Sequence, residues 1–170
     1  MIRKPRGFTL TELVVTMIVI GILAVVALPR FDLLKGFDEI GYRDKVRGTL
    51  EFARKAAVAQ RRNVQVTLTG NNLSLNIASD VPEGANANTF DRTLALPTIN
   101  KDCSAPAANK ICPRSPVVLS SGPALITFSP LGVPGGTSNC VVSARQDYCY
   151  TVRGDADHIV TVEAETGYVH

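Results

Sequence analysis

The chain has 170 residues, of which 45% are hydrophobic and 19% charged, and its formal net charge at pH 7 is +3. The hydrophobic content excludes a disordered chain, and the 13 Gly and 10 Pro, which follow no period, exclude collagen-like and low-complexity classes. The length suits one modest domain plus an appendage. A basic excess is typical of proteins with an acidic partner. Here Arg3, Lys4 and Arg6 account for all of it, since the rest of the chain has 15 basic and 15 acidic side chains.

The basic amino terminus is followed by a long apolar segment. Residues 8–29 contain a single charge, Glu12, and about 20 apolar residues are enough for a helix to cross a bilayer. The basic flank would hold the amino terminus in the cytoplasm. A secretory signal peptide fits poorly, because no Ala-x-Ala-like site closes the apolar run. A generic anchor would not be expected to carry an acid: a carboxylate near mid-membrane costs roughly 2.5–3.5 kcal/mol, which favours a functional role for Glu12.

The segment from Gly7 to Leu13 (GFTLTEL), with the residues that follow it to Phe31, resembles a type IV prepilin signal. The resemblance implies cleavage by a prepilin peptidase between Gly7 and Phe8, N-methylation of Phe8, and retention of the apolar helix. It also implies that Glu12 pairs with the terminal amine of a neighbouring subunit. Such pairing would remove the cost of two isolated charges in an apolar filament core.

The next segment is expected to continue the helix, with a kink or loosening at Pro29, because proline does not donate to the helix ladder. From residue 43 to 62 the period is helical, and one apolar stripe recurs at i, i+4, i+8, i+11 and i+15. This stripe consists of Tyr42, Val46, Leu50, Ala53 and Ala57. The two alanines would let a sheet or a second chain approach closely. One continuous helix over residues 8–60 would be about 80 Å long.

A second stripe on the same helix is basic and has two interpretations. It consists of Arg43, Arg47, Arg54 and Arg61. The first interpretation is a surface for DNA or anionic lipid. The favoured one is a solvated flank whose stems cover the apolar stripe, assisted by Asp44 and Glu51.

Residues 63–170 change to a period of two, which predicts a β-rich head. Residues 64–68 and 73–77 alternate about a Gly-Asn-Asn turn and predict a hairpin. Residues 79–92 are expected to form a loop, and residues 93–99 an edge strand at most, because of Pro97. Further strands are predicted at residues 117–119, 125–128, 141–144, 149–152 and 158–162.

The stem and head also resemble particular groups of pilin-like proteins. The helix from Ala53 to Arg62, residues 126–132 and the closing residues 165–169 look like minor pilins of the MSHA (MshC-like) kind. They are also similar to the H-type pseudopilin (GspH) and FimT group. Some FimT-like pilins are DNA receptors with a carboxyl-terminal Gly-Arg-x-Arg pattern. Here residues 167–170 have neither Arg, and the head has six basic and nine acidic side chains, so a nucleic-acid partner is not expected.

Four cysteines lie in the head, at Cys103, Cys112, Cys140 and Cys149. Neither pair matches a common zinc spacing. In an exported, oxidising setting two disulfides are the better interpretation, and free buried thiols are the alternative. Three connectivities are possible, of which local pairing fits best: Cys140 with Cys149 across a hairpin turning near residues 144–145, and Cys103 with Cys112 around a loop.

No catalytic motif was recognised, and no enzyme activity or cofactor is expected. The most suggestive cluster is residues 154–158 (GDADH), because alternate carboxylates such as Asp155 and Asp157 can chelate Ca²⁺. A complete calcium loop needs more oxygen ligands in a fixed order, and a turn between two strands explains the sequence equally well. The metal interpretation is therefore weak.

Together these observations predict an α+β protein with the type IV pilin fold: a long amino-terminal helix, its first half in the membrane, packed on an antiparallel β-rich head. The expected segments are a leader (1–7), a transmembrane and polymerisation helix (8–30), an amphipathic second half (31–62) and the head (63–170). The expected function is that of a non-enzymatic minor pilin or pseudopilin in an MSHA-type pilus or a type II secretion pseudopilus. The alternative is a tip-exposed receptor for DNA or for surfaces. The expected partners are other pilins, the prepilin peptidase/methyltransferase and an inner-membrane assembly platform, with the head in the periplasm.

Overall fold

The computed structural model describes residues 8–27, 35–105 and 107–170. It divides the chain into two compact units, Met1–Lys35 and Gly36–His170. Helix α1 (Leu10–Ala27) belongs to the first unit, and helix α2 (Lys35–Gln60) begins at the boundary. The described part of the second unit contains ten strands: β1 (Val64–Thr69), β2 (Asn72–Ile77), β3 (Arg92–Thr93), β4 (Lys110–Ile111), β5 (Val118–Ser121), β6 (Leu125–Phe128), β7 (Pro134–Gly136), β8 (Cys140–Val142), β9 (Arg145–Arg153) and β10 (Asp157–Val162).

Helix α1 is apolar around its whole circumference. Every side chain from residue 8 to residue 25 is exposed, so none of these side chains is buried in a hydrophobic core. No helix within the described ranges is both long enough and apolar enough to cross a membrane. The predicted leader (1–7) and the predicted kink at Pro29 lie outside the described residues. Within the expected helix over residues 8–60, the described residues form α1 and α2.

Helix α2 buries the apolar stripe that its period predicted. Tyr42, Val46, Leu50, Ala53 and Ala57 are all buried, so the predicted stripe faces the core. The helix starts at Lys35, earlier than the periodic part of the sequence, and runs through Gly41 and Gly48. Each glycine costs about 1 kcal/mol relative to alanine in a helix. Burial of the stripe outweighs that cost, because helices in proteins derive most of their stability from packing an apolar face.

The head consists of two antiparallel sheets that share one core with α2. The first has the order β3-β2-β1-β6-β7, with β4 also paired to β2. The second has the order β10-β9-β5, with β8 also paired to β9. In the predicted hairpin, Val64 lies opposite Ile77 and Val66 opposite Leu75, and all four are buried. Residues of α2 and of both sheets belong to a single cluster of buried side chains.

The chain crosses from one sheet to the other between β5 and β6, at Gly122. A Cβ at this position would come within 2.5 Å of Cδ1 of Tyr150. Tyr150 is fully buried, and burial raises the pKa of its phenol well above the usual range. Glycine is therefore required here by close approach to a buried ring.

The predicted head is correct in outline and wrong at several boundaries. Strand β6 has the predicted bounds, but the expected edge strand at 93–99 is reduced to β3 (Arg92–Thr93). Strands β4 and β7 were not predicted, because a two-residue strand and a Pro-Gly-Gly strand carry no alternating pattern. Strand β9 begins four residues earlier than expected, because its polar first half pairs with β8.

The β8–β9 turn holds two non-glycine residues at positive φ. Ser143 and Ala144 have φ values of 49° and 67°, and Val142 pairs with Arg145 across them. Two-residue hairpins favour this geometry and usually place glycine in it. An alanine held there has a backbone cost of about 1 kcal/mol or more.

We predict that Ala144→Gly raises the free energy of unfolding by about 0.5–1 kcal/mol. Glycine removes the backbone cost of the positive φ, and the greater flexibility that glycine gives the unfolded chain offsets only part of this gain. Denaturant unfolding of the detergent-solubilised full chain measures the change. Ala59→Gly, on the exposed side of the last turn of α2, is the control and should lower stability, by at most about 1 kcal/mol. Equal losses for both variants would contradict a strained turn.

Candidate functional site

The amino end of α1 brings Glu12 into the first helical turn. The N–H of Glu12 donates to Oγ1 of Thr9 at 3.3 Å, and the N–H of Leu13 donates to the carbonyl of Thr9 at 3.2 Å. Thr9 is therefore the N-cap and Glu12 the third helical residue, which is the spacing of a capping box. A carboxylate at this end of a helix is favoured by the helix dipole. Phe8, the predicted new terminus, is exposed just before the cap, and Gly7 lies outside the described residues.

A buried carboxylate joins α2 to the β9–β10 turn. Glu39 is 3% exposed, and its carboxylate accepts hydrogen bonds from the backbone N–H groups of Asp155 and Ala156. Nε2 of His158 lies 3.4 Å from Oε2 of the same carboxylate. The N–H of Asp155 is the main cause that lowers the pKa of Glu39 below its ordinary value of 4.5, helped by Ala156 and His158 against the effect of desolvation.

The same turn explains the suggestive carboxylate cluster at residues 154–158. Asp157 accepts two hydrogen bonds from Arg153, at 2.8 and 2.9 Å, and this pairing lowers the pKa of Asp157 and raises that of Arg153. A side chain at Gly154 would collide with Glu39. Among the described residues, no group of three or more metal-ligating side chains is close enough to hold a metal ion. The cluster is a turn clamped by Glu39.

The basic stripe of α2 divides into separate local roles. Arg43 pairs with Asp44 at 2.6 Å and Arg47 with Glu51 at 3.3 Å. The side chain of Arg54 lies between two turns, because a Cβ at either Gly132 or Gly167 would come within 3.2 Å of its Nε.

Arg61 was predicted within the helix, but α2 ends at Gln60. With φ at 51°, Arg61 is the left-handed residue that ends the helix. The N–H groups of Arg61 and Arg62 donate to the carbonyls of Val58 and Ala57, which is the Schellman pattern. The stripe is thus not one continuous basic surface.

Both disulfides join local pairs. Cys103 is bonded to Cys112, and Cys140 to Cys149, with a sequence separation of 9 in each case. The first closes the loop that leads into β4, and the buried side chain of Asn100 donates to the carbonyl of Cys112 at 3.0 Å. The second spans the β8–β9 hairpin, which turns at residues 143–144, one position before the predicted turn. In the chain-entropy account each bond stabilises the fold by roughly 2.5–3 kcal/mol.

Residues 2–28 match the prokaryotic N-terminal methylation motif. The motif covers the predicted cleavage position, Phe8 and Glu12, and it implies processing by a prepilin peptidase, an inner-membrane precursor and assembly with pilins. The chain therefore carries the amino-terminal motif of type IV pilin-like proteins, which are structural and non-enzymatic, and its fold is α+β, with a helix packed on antiparallel sheets.

Two solved structures are similar to this chain. Both are the type IV minor pilin FimU of Pseudomonas aeruginosa strain PAO1, in different crystal forms. The TM-scores are 0.43 and 0.42, each at 15% identity, and the alignments cover 75% of this chain and 86% and 82% of the FimU chains. Among curated proteins, none matches the sequence.

Glu39 is the residue that sequence reasoning missed. It lies on the buried stripe, three residues before Tyr42 and seven before Val46, where an apolar residue is expected. A carboxylate on an apolar stripe needs a partner. The sequence therefore indicates that Glu39 has a partner but does not identify it, because the partner is a pair of backbone N–H groups more than 110 positions away.

We predict that Glu39→Gln lowers the melting temperature of the protein by several degrees at pH 7, because a neutral amide accepts these hydrogen bonds less strongly. The lowered pKa means that the carboxylate contributes stability above pH 4.5, and that this contribution is lost as the pH falls through the folded-state pKa. The gap between wild type and variant should therefore close in acid. Thermal unfolding between pH 7 and pH 3 measures it.

The control for this experiment is Glu165→Gln, which neutralises an exposed carboxylate 4.0 Å from Arg145. Exposed ion pairs of this kind contribute little to stability, so the control should have the melting temperature of the wild type at neutral pH. A Glu39→Gln variant whose deficit is the same at every pH would show that the residue acts through packing alone.

Proposed function

We propose that this protein is a minor pilin or pseudopilin subunit that aids the assembly or initiation of a filament. Residues 1–7 are the leader, 8–30 the helix that holds the precursor in the inner membrane and then polymerises, 31–62 its amphipathic second half, and 63–170 the displayed head. The observation that carries the proposal is the methylation motif over residues 2–28, with Glu12 in the first turn of α1.

Glu12 has a chemical reason to choose a partner in another subunit. It is the only charged residue among the apolar residues 8–29. Removal of the leader would create a cation at Phe8, and both charges are expensive in apolar surroundings unless they are paired. Pairing between subunits would add a directional contact to helices whose apolar surfaces have none.

The filament system is proposed from the resemblance of the stem and the carboxyl-terminal residues. MSHA-type pili and type II secretion pseudopili both fit, and the role is assembly or priming. The DNA-receptor alternative is not adopted, because Arg43 and Arg47 are paired with acids of the same helix and the head carries more acidic than basic side chains.

We predict that Glu12→Ala leaves cleavage and methylation intact and lowers incorporation into filaments by roughly 100-fold or more, because it leaves the amine of Phe8 unpaired. Mass spectrometry of the amino terminus reports processing, and the amount of the protein in sheared filaments reports incorporation. A mature chain that begins with N-methylated Phe8 is expected for wild type and variant alike.

Thr11→Ala is the neighbouring control, because it removes a hydroxyl 3.1 Å from that of Thr9 and keeps the carboxylate. It should be processed and incorporated normally. Full incorporation of Glu12→Ala, or a wild-type chain that keeps its first seven residues, would contradict the proposal.

A further inference from the structure

Strand β9 has a gap in its partners, and the gap lies at a cysteine. On one side β9 pairs with β10, and on the other side β8 pairs with residues 145–147 and β5 with residues 151–153. Cys149 lies between these two short partners. Thr161, opposite Cys149 on β10, exchanges its backbone hydrogen bonds with His170 instead. The N–H and C=O of Cys149 therefore point into the gap, away from β10.

The side chain of Asn139 fills this gap. Its Nδ2 donates to the carbonyl of Cys149 at 2.7 Å, and its Oδ1 accepts from the N–H of Cys149 at 2.8 Å. One side-chain amide thus makes the two hydrogen bonds that a residue of a neighbouring strand exchanges with its partner. The backbone of Asn139 is tied to the same strand, because its N–H donates to the carbonyl of Asp147 at 3.3 Å.

The register of the β8–β9 hairpin does not by itself bring the two cysteines together. Cys140 lies opposite Asp147, so Cys149 occupies the diagonal position. Diagonal residues usually have Cα atoms about 7–8 Å apart, whereas a disulfide usually joins Cα atoms about 4.4–6.8 Å apart. Here the Cα–Cα distance is 5.8 Å. Residues 137–139 leave the ladder just before Cys140, and the amide of Asn139 draws this segment toward Cys149.

We propose that Asn139 is a positioning residue for the oxidation of the head. It holds the chain next to Cys140 against Cys149 before the sulfurs are bonded, and so selects this pair from the three connectivities that four cysteines allow. The inference goes beyond the proposed function, because it concerns the head alone and does not depend on incorporation into a filament.

The reaction needs a disulfide as its oxidant, such as glutathione disulfide or the active-site disulfide of an oxidoreductase. The thiolate of one cysteine attacks this disulfide, forms a mixed disulfide and releases one thiol of the oxidant. The thiolate of the other cysteine then attacks the mixed disulfide, the Cys140–Cys149 bond forms and the second thiol leaves. Two electrons and two protons pass from the pair to the oxidant. Asn139 acts on the second, intramolecular step, by raising the effective concentration of one cysteine at the other.

The other disulfide, Cys103–Cys112, is an internal reference in the same molecule. Both of its cysteines are buried, and the hydrogen bonds of Asn139 go to β9 instead. Trypsin cuts at Lys110, Arg114 and Arg145, which places each cysteine on its own peptide. Each of the three connectivities therefore gives its own set of linked peptides.

Redox titration of the detergent-solubilised full chain tests the proposal. The protein is equilibrated at graded ratios of reduced to oxidised dithiothreitol, free thiols are trapped with a maleimide, and linked peptides are quantified by mass spectrometry. Asn139→Ala should lower the equilibrium constant for the Cys140–Cys149 disulfide by roughly tenfold or more, because two hydrogen bonds are lost. The constant for Cys103–Cys112 should stay unchanged. Thr137→Ala, at an exposed position of the same segment, is the matched control and should leave both constants unchanged.

Amide exchange separates positioning from a contact that forms only after the bond. Cys140→Ser removes the disulfide and leaves Asn139 in place. In this variant the N–H of Cys149 should exchange with deuterium roughly tenfold more slowly than in Cys140→Ser/Asn139→Ala, because Asn139 still accepts from it.

Three results would each overturn the proposal. The first is an Asn139→Ala protein whose Cys140–Cys149 disulfide titrates like that of the wild type. The second is an equal loss in both disulfides, because this would show a general weakening of the head. The third is equal exchange at Cys149 with and without Asn139 in the Cys140→Ser background.

Discussion

The head depends on the burial of one stripe of α2. Tyr42, Val46 and Leu50 are almost or fully inaccessible, and Ala53 and Ala57 continue the stripe with side chains small enough for close packing. The cluster that contains them also contains residues of both sheets. The two sheets are joined mainly through this shared core. Helix α2 is therefore the element that unites the two sheets in one domain.

Apolar burial alone does not determine where along the helix each sheet sits, because the hydrophobic effect has no direction. Polar contacts at both ends of α2 supply that information. Near the start, Glu39 accepts from the β9–β10 turn, and the hydroxyl of Tyr42 donates to the carbonyl of Asn71 at 3.2 Å. At the end, the guanidinium of Arg62 donates to the carbonyls of Ala78 and Ser79. The helix is thus fixed at two points, with its apolar stripe between them.

The parts that sequence predicted well are those in which the pattern is local. The stripe of α2, the β1–β2 hairpin and strand β6 follow from periods of 3.6 and 2, which a single segment displays by itself. The short strands β4 and β7 exist only because a neighbouring strand is there to pair with, so their own residues give no sign of them. Of the candidate site residues, Glu12 could be recognised from a contiguous motif. Glu39 could not be assigned, because its partners come from a turn at the other end of the chain.

The two helices place opposite demands on their surroundings. Helix α2 satisfies its apolar stripe within the head, whereas α1 exposes apolar side chains on every side. A helix that is apolar all around is stable only where something other than water covers it. Lipid and a bundle of identical helices both provide such cover, and the surface of α1 does not distinguish them. Among the described residues of α1, the charged group that does distinguish them is Glu12, because a carboxylate gains from a cation in a neighbouring helix and gains nothing from hydrocarbon. In the proposed function, this single charge near the start of the helix would direct the transfer of α1 from membrane to filament.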